Sequence, residues 1–141
     1  MNEDKNISVV KQGYEHFGTG NIEGLLSLFD EEISWTTPNV EGASYTGTRT
    51  GRDSVAEFFK HLSDAEEFSR FEPQEFIAQG DKVVVLGESE STVKDTGRSF
   101  STPWVHIVTV KDGKVTGFLE FFDNALASKA FQKELTAGTT P

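Results

Sequence analysis

The chain has 141 residues, 23 acidic against 13 basic side chains, a formal net charge of −10 and no cysteine. That length suits one domain around one core. The lack of cysteine excludes disulfides, thiolate metal sites and a cysteine nucleophile. So acidic a surface repels phosphate backbones and argues against a nucleic-acid partner. The polar start Met1–Asn6 lacks the apolar run of a signal peptide and no stretch has the length of a membrane span, so the expected compartment is the cytoplasm, with no membrane partner.

Ile7, Val10, Tyr14 and Phe17 recur at helical spacing and predict a first helix that ends at Gly18–Asn21. Ile22, Leu25, Leu26 and Phe29 predict a second, shorter one. Ile33 to Thr37 reads as a strand stopped by Pro38, and the polar, glycine-dotted run from Asn39 to Gly51 reads as a loop with Tyr45 in its middle. Thr50-Gly-Arg-Asp53 has the form of a capping box, with Asp53 in place of the usual Glu or Gln, opening a third helix with Val55, Phe58, Phe59 and Leu62. Phe68 to Gln79 reads as a strand kinked near Pro73, and Lys82 to about Lys94 as the next. Arg98–Val110 and Val115–Phe122 flank Asp112-Gly113, a strong hairpin signal. Ala125 to Leu135 predicts a final helix, and 136–141 a frayed tail. Helices segregated from a meander of strands make an α+β domain, with the helices covering one face of a curved sheet and a pocket between.

Each arm of the hairpin carries one titratable group among apolar neighbours, His106 and Glu120. Burying such a group costs free energy unless it is paired, so a ligand cavity is one explanation. With two-residue turns throughout, His106 would pair with Leu119 and Val105 with Glu120, while His106 would face Gly87 and Trp104 would face Ser89. In that register His106 and Glu120 point to opposite faces. They share a cavity only if a β-bulge shifts the count, and Gly117 is a plausible site for one. The same count puts Val83, Val85, Val108, Val110, Val115, Leu119 and Phe121 on one face and Val84, Leu86, Val105, Ile107 and Phe118 on the other. Both faces then want cover. One set of helices can cover only one, so a homodimer packed through the sheet is expected.

Tyr14-Glu-His-Phe17 with Gly20-Asn21, Ile33-Ser-Trp35 with Pro38, Tyr45-Thr-Gly47, Gly51-Arg-Asp53 with Phe58-Phe59, Trp104-Val-His106, Asp112-Gly-Lys114 and Glu120-Phe-Phe-Asp123 together resemble the SnoaL-like and ketosteroid-isomerase-like branch of the nuclear transport factor 2-like superfamily. The resemblance spans about residues 6 to 132. It implies a cone-shaped, curved antiparallel or mixed sheet wrapped around N-terminal helices, a cystatin-like α+β barrel with a deep apolar pocket and usually dimeric. In the SnoaL-type cyclases a His on the penultimate strand and a carboxylate on the last serve proton transfer. His106 and Glu120 match those positions, with Glu where the family has Asp. The match argues for the bulge that simple parity denies. The early Asp base of the ketosteroid isomerases would fall near Trp35–Pro38, which offers no carboxylate, and no pocket-facing Arg is found for the Asp-Arg-Asp set of the epoxide hydrolases.

The sharpest reading is cofactor-free acid–base catalysis on a small apolar, cyclic carbonyl compound: isomerisation, aldol-type cyclisation or dehydration. An apolar wall makes a carboxylate a stronger base. Glu120 would take that role, and His106 would donate to or polarise the carbonyl oxygen. Tyr14, Phe17, Trp35, Tyr45, Trp104 and Phe118 would hold the ring system. Two other readings stay open: a binding module in which His106 and Glu120 satisfy each other, and a structural dimer with a vestigial pocket. His16 reads as solvated, His61 as a cation at the end of the third helix, and Glu66-Glu67 as a solvated acidic turn. Asp123 reads as an N-cap. The three histidines lack zinc-ligand spacing, and no phosphate loop implies a nucleotide cofactor, so neither metal nor cofactor is expected.

Overall fold

The computed structural model describes residues 2–132. The expected tail at 136–141, and the last turn of the expected final helix at 133–135, lie outside the described residues. The elements run α1 (Asn2–Gly18), α2 (Ile22–Ser27), β1 (Phe29–Thr37), β2 (Gly47–Thr50), α3 (Arg52–Ala65), β3 (Glu66–Gln79), β4 (Lys82–Val93), β5 (Ser99–Lys111), β6 (Lys114–Phe122) and α4 (Asn124–Phe131). The six strands form one mixed sheet in the order β2-β1-β6-β5-β4-β3, in which only the β1–β6 pair is parallel. The sheet is curved and does not close. Helices α1 and α3 pack on its inner face, where Ile33, Val55, Val83 and Val85 are fully buried.

The elements differ from the sequence expectation in three places. Phe29 opens β1 rather than ending α2, because its ring turns into the core while the backbone of Val115 bonds to Leu28. The expected loop 39–51 contains a short strand, β2, whose Thr50 pairs with Ser34. That use of Thr50 also removes the capping box. The N-cap of α3 is Gly51, at φ 95° with no side-chain cap, a backbone conformation that favours glycine. The Asp123 cap of α4 does form, with its side chain accepting from the Leu126 N–H at 3.0 Å.

Register decides which side chains meet. Between β4 and β5 the chain takes a longer loop than the two-residue turn expected, and Val93 N–H donates to the Arg98 carbonyl. The pairs shift accordingly. Trp104 lies opposite Gly87 and His106 opposite Val85. The glycine is needed there, since a Cβ would sit 2.3 Å from Trp104 Cζ2 and 2.5 Å from the Glu72 carbonyl oxygen. Between β5 and β6 Val110 pairs with Val115 but Thr109 pairs with Gly117, leaving Thr116 as an extra residue. This is the bulge that strict two-residue counting lacked. Beyond it the parity of β6 inverts, so His106 pairs with Glu120 and Val105 with Phe121.

The bulge also corrects the faces. Phe118, Glu120 and Phe122 join Val83, Val85, Val108, Val110 and Val115 on the inner side. Leu119 and Phe121 move to the outer side with Val84, Leu86, Val105 and Ile107. On that outer side Phe121 is 52% exposed, and Ile77 on the edge strand β3, across the sheet beyond β5 and β4, is 49% exposed. Among the described residues no helix is long and apolar enough to cross a membrane.

Candidate functional site

Between the inner face of the sheet and helices α1 and α3 lies a cavity of about 140 Å³. Tyr14, Phe17, Trp35, Tyr45, Trp104, His106, Phe118 and Glu120 all line it. A cavity on the order of 150 Å³ accepts a benzene-sized guest, so the space suits one ring without movement of its walls. Phe118 stacks on Trp35 at 3.7 Å between centroids, and Trp104 stacks on His106 at 4.0 Å. Phe71, which the sequence reading did not single out, backs Trp104 at 4.9 Å. Phe17 packs between Phe59, Phe68 and Phe71. Such ring pairs contribute roughly 0.5–1.5 kcal/mol each beyond their buried area.

One polar cluster interrupts this lining at β5 and β6. His106, 3% exposed, has Nε2 at 2.8 Å from Glu120 Oε2 and Nδ1 at 2.7 Å from the Tyr14 hydroxyl. Both ring nitrogens are therefore occupied. A direct bond from His106 to a substrate carbonyl, as the sequence reading had it, would need one of these contacts to break. The open atom of the cluster is Glu120 Oε1, which has no hydrogen-bond partner among the described residues, on a side chain 16% exposed that lines the cavity. With a neutral ring, Nε2–H donates to Glu120 and the Tyr14 O–H donates to Nδ1. With both nitrogens protonated, Nδ1–H donates to the Tyr14 oxygen and the hydroxyl hydrogen turns free. Burial, and then the negative charge of Glu120, hold the Tyr14 phenol well above its ordinary range, so it acts as a donor and not as a phenolate.

A second polar cluster lies where β3 begins. The Tyr45 hydroxyl donates to Glu66 Oε2 at 2.8 Å and the Ser91 hydroxyl donates to Glu66 Oε1 at 2.7 Å. Glu66 is half-buried and lines the cavity, not the solvated turn expected of it. The reason is the antiparallel pairing of β3 with β4, which sets Glu66 against Val93 and brings its carboxyl to Ser91 on the inner face. Burial pushes Glu66 above the ordinary carboxylate value. The bonds from Ser91 and Tyr45 oppose that rise, and Glu120 adds to it. Tyr45 is pushed up by burial and then by Glu66 beside it.

The remaining histidines stay outside. His61 sits before the last turn of α3 and stacks beside Tyr45 at 6.4 Å, and the closing N–H bond of the helix comes from Glu66 to Leu62. It is not a cap. His16 lies 3.3 Å from the Asn21 side-chain amide. The indole nitrogens of Trp35 and Trp104 are buried with no hydrogen-bond partner, at a cost of about 1–3 kcal/mol each. Among the described residues no group of three or more His, Asp or Glu side chains could hold a metal ion.

The SnoaL-like domain model matches residues 10–118 of the chain. The protein belongs to the SnoaL-like domain family. An NTF2-like protein from Burkholderia xenovorans is 34% identical, with 92% of this chain and 98% of that one covered at a TM-score of 0.84. TerC, crystallised with polyporic acid, is 32% identical over 90% of this chain and 98% of its own, at a TM-score of 0.79. A candidate SnoaL-like polyketide cyclase from Mesorhizobium loti shares the fold at 17% identity, covering 82% of this chain and 97% of its own, with a TM-score of 0.68. No curated protein matches the chain. In this SnoaL-like chain the cavity wall carries both polar clusters, and the rest of that wall is mostly apolar.

Proposed function

We propose that this SnoaL-like protein binds a small apolar cyclic carbonyl compound and moves a proton on it without a cofactor. The observation that carries the reading is Glu120, with one oxygen held by His106 and the other open on an aromatic cavity. The co-crystallised small molecule of TerC supports a binding role for the fold. In the proposed step Glu120 Oε1 takes the proton from the carbon next to the carbonyl, and the carbonyl becomes an enolate. Tyr14 is the oxyanion donor, and its hydroxyl hydrogen is released toward the ligand when His106 supplies Nδ1–H to the phenol oxygen. His106 is a positioning residue, since it reaches the ligand only through Tyr14 and Glu120. Return of the proton from Glu120 to a different carbon gives an isomerisation with no net proton change, whereas its delivery to the alkoxide formed on ring closure gives a cyclisation and its delivery to a departing β-hydroxyl, which leaves as water, gives a dehydration.

The test is hydrogen exchange at the α-carbon of cyclohexanone in heavy water, followed by NMR. Wild type is expected to accelerate exchange over buffer, and Glu120→Gln to lose about 10²–10⁴-fold of that acceleration, the range for general-base catalysis. No acceleration by folded wild type would leave the binding module, a reading favoured by the fact that His106, Tyr14 and Glu120 already satisfy one another. We also propose a homodimer through the outer face of the sheet, on the strength of Phe121 and the apolar residues around it. Sedimentation should show a dimer at micromolar concentration that Phe121→Glu weakens. A monomeric wild type would contradict it.

A further inference from the structure

The proposed base accounts for one polar cluster and leaves the other, Tyr45–Glu66–Ser91, without a task. Its geometry is that of a held group. Each oxygen of the Glu66 carboxyl accepts one hydroxyl bond, so its plane is fixed while its remaining lone-pair positions stay free. The carboxyl has no cation beside it. Among the described residues the cavity wall contains two carboxyls, Glu66 and Glu120, and no Lys or Arg. An anion entering there would be desolvated against two acids, and the one group able to carry positive charge, His106, is already paired with Glu120.

We infer that the cavity takes an uncharged ring bearing two oxygens, one meeting Glu120 and the other bound at the far end by the Glu66 carboxyl that Tyr45 and Ser91 hold in place. The inference rests on the ligand-binding part of the function proposed above and adds a ligand class: neutral enols, phenols and ketones, not free carboxylic acids or phosphate esters. Glu66 is a binding residue in this scheme, and Tyr45 and Ser91 position it.

The chain has two tryptophans, Trp35 and Trp104, and both line the cavity. Their indole N–H resonances therefore report occupancy directly. In a ¹⁵N spectrum at neutral pH, titration with phenol and with hydroquinone is expected to shift both signals, with hydroquinone about fivefold tighter because its second hydroxyl gains a hydrogen bond. Benzoate is expected to bind at least tenfold more weakly than phenol. In Glu66→Ala the advantage of hydroquinone over phenol should vanish while phenol still binds. In Glu66→Gln, which keeps the shape and removes the charge, the penalty on benzoate should shrink. The inference is overturned if benzoate binds wild type as well as phenol does, or if hydroquinone keeps its advantage in Glu66→Ala. If phenol binds without any such pattern, the binding reading stands and only the second pole falls. If none of the three probes moves either indole signal, both fall together.

Discussion

Two clusters in one cavity are built from nearly the same parts. Each joins a tyrosine to a glutamate: Tyr14 and Glu120 in one, Tyr45 and Glu66 in the other. In the first an imidazole stands between them, 2.7 Å from the phenol and 2.8 Å from the carboxylate. In the second the phenol touches the carboxylate directly at 2.8 Å, and a serine hydroxyl closes the other side. An imidazole can hold a proton on either nitrogen or on both, so the first cluster has two proton arrangements of comparable geometry. Two hydroxyls and a carboxyl pushed toward its protonated form have no such freedom. The same side chains thus admit two proton arrangements when a histidine separates them and one fixed arrangement when none does.

Removing the inserted group should separate the two clusters most. His106→Leu leaves the Tyr14 hydroxyl and Glu120 without their partner in a mostly apolar wall, and is expected to cost about 2–6 kcal/mol in urea unfolding, at roughly 1–3 kcal/mol per stranded group. Ser91→Ala removes one of two bonds to Glu66 and is expected to cost about 1 kcal/mol. Equal costs would mean that the clusters are energetically alike and would break the comparison.

A smaller effect sharpens it. Glu66 is raised above its ordinary value of 4.5 in the folded protein. The folded state therefore holds this proton more tightly than the unfolded chain does. The stability that follows is fully present below the ordinary value and is lost as pH rises through the raised one. Glu66→Gln cannot lose it. Its stability relative to wild type should improve as pH rises from the ordinary value through the raised one. A stability difference that stays flat over that range would place Glu66 in solvent.

Much of this arrangement is legible in the chain before any coordinates. The alternation of Val83, Val85 and Val108, Val110 marks the inner face because strand parity is strict wherever pairing is regular. The capping aspartate before α4 is legible for a similar reason, since its bond is local. The face of Glu120 is not legible from parity, because a single extra residue at Thr116 reverses everything after it, and only the family resemblance argues for that bulge. Gly117 hints at such a site, but glycine in a strand marks many things. Glu66 is hidden more deeply. A pair of adjacent glutamates after a helix reads as solvent-facing, and only the long-range pairing of Glu66 with Val93 turns one of them toward Ser91. β2 escaped because four residues, with burial that merely alternates between partial and none, carry no apolar signal of their own. Local rules read the strands and caps, and the two polar clusters sit where two distant departures from those rules converge.

The most direct test of the central claim is a crystal structure of the protein soaked in phenol. The account predicts the ring against Trp104 and Phe118, its hydroxyl within hydrogen-bond distance of Glu120 Oε1, and His106 still bonded to Tyr14 and Glu120. His106 and Glu120 on opposite faces of the hairpin, or the ring seated away from both, would contradict it.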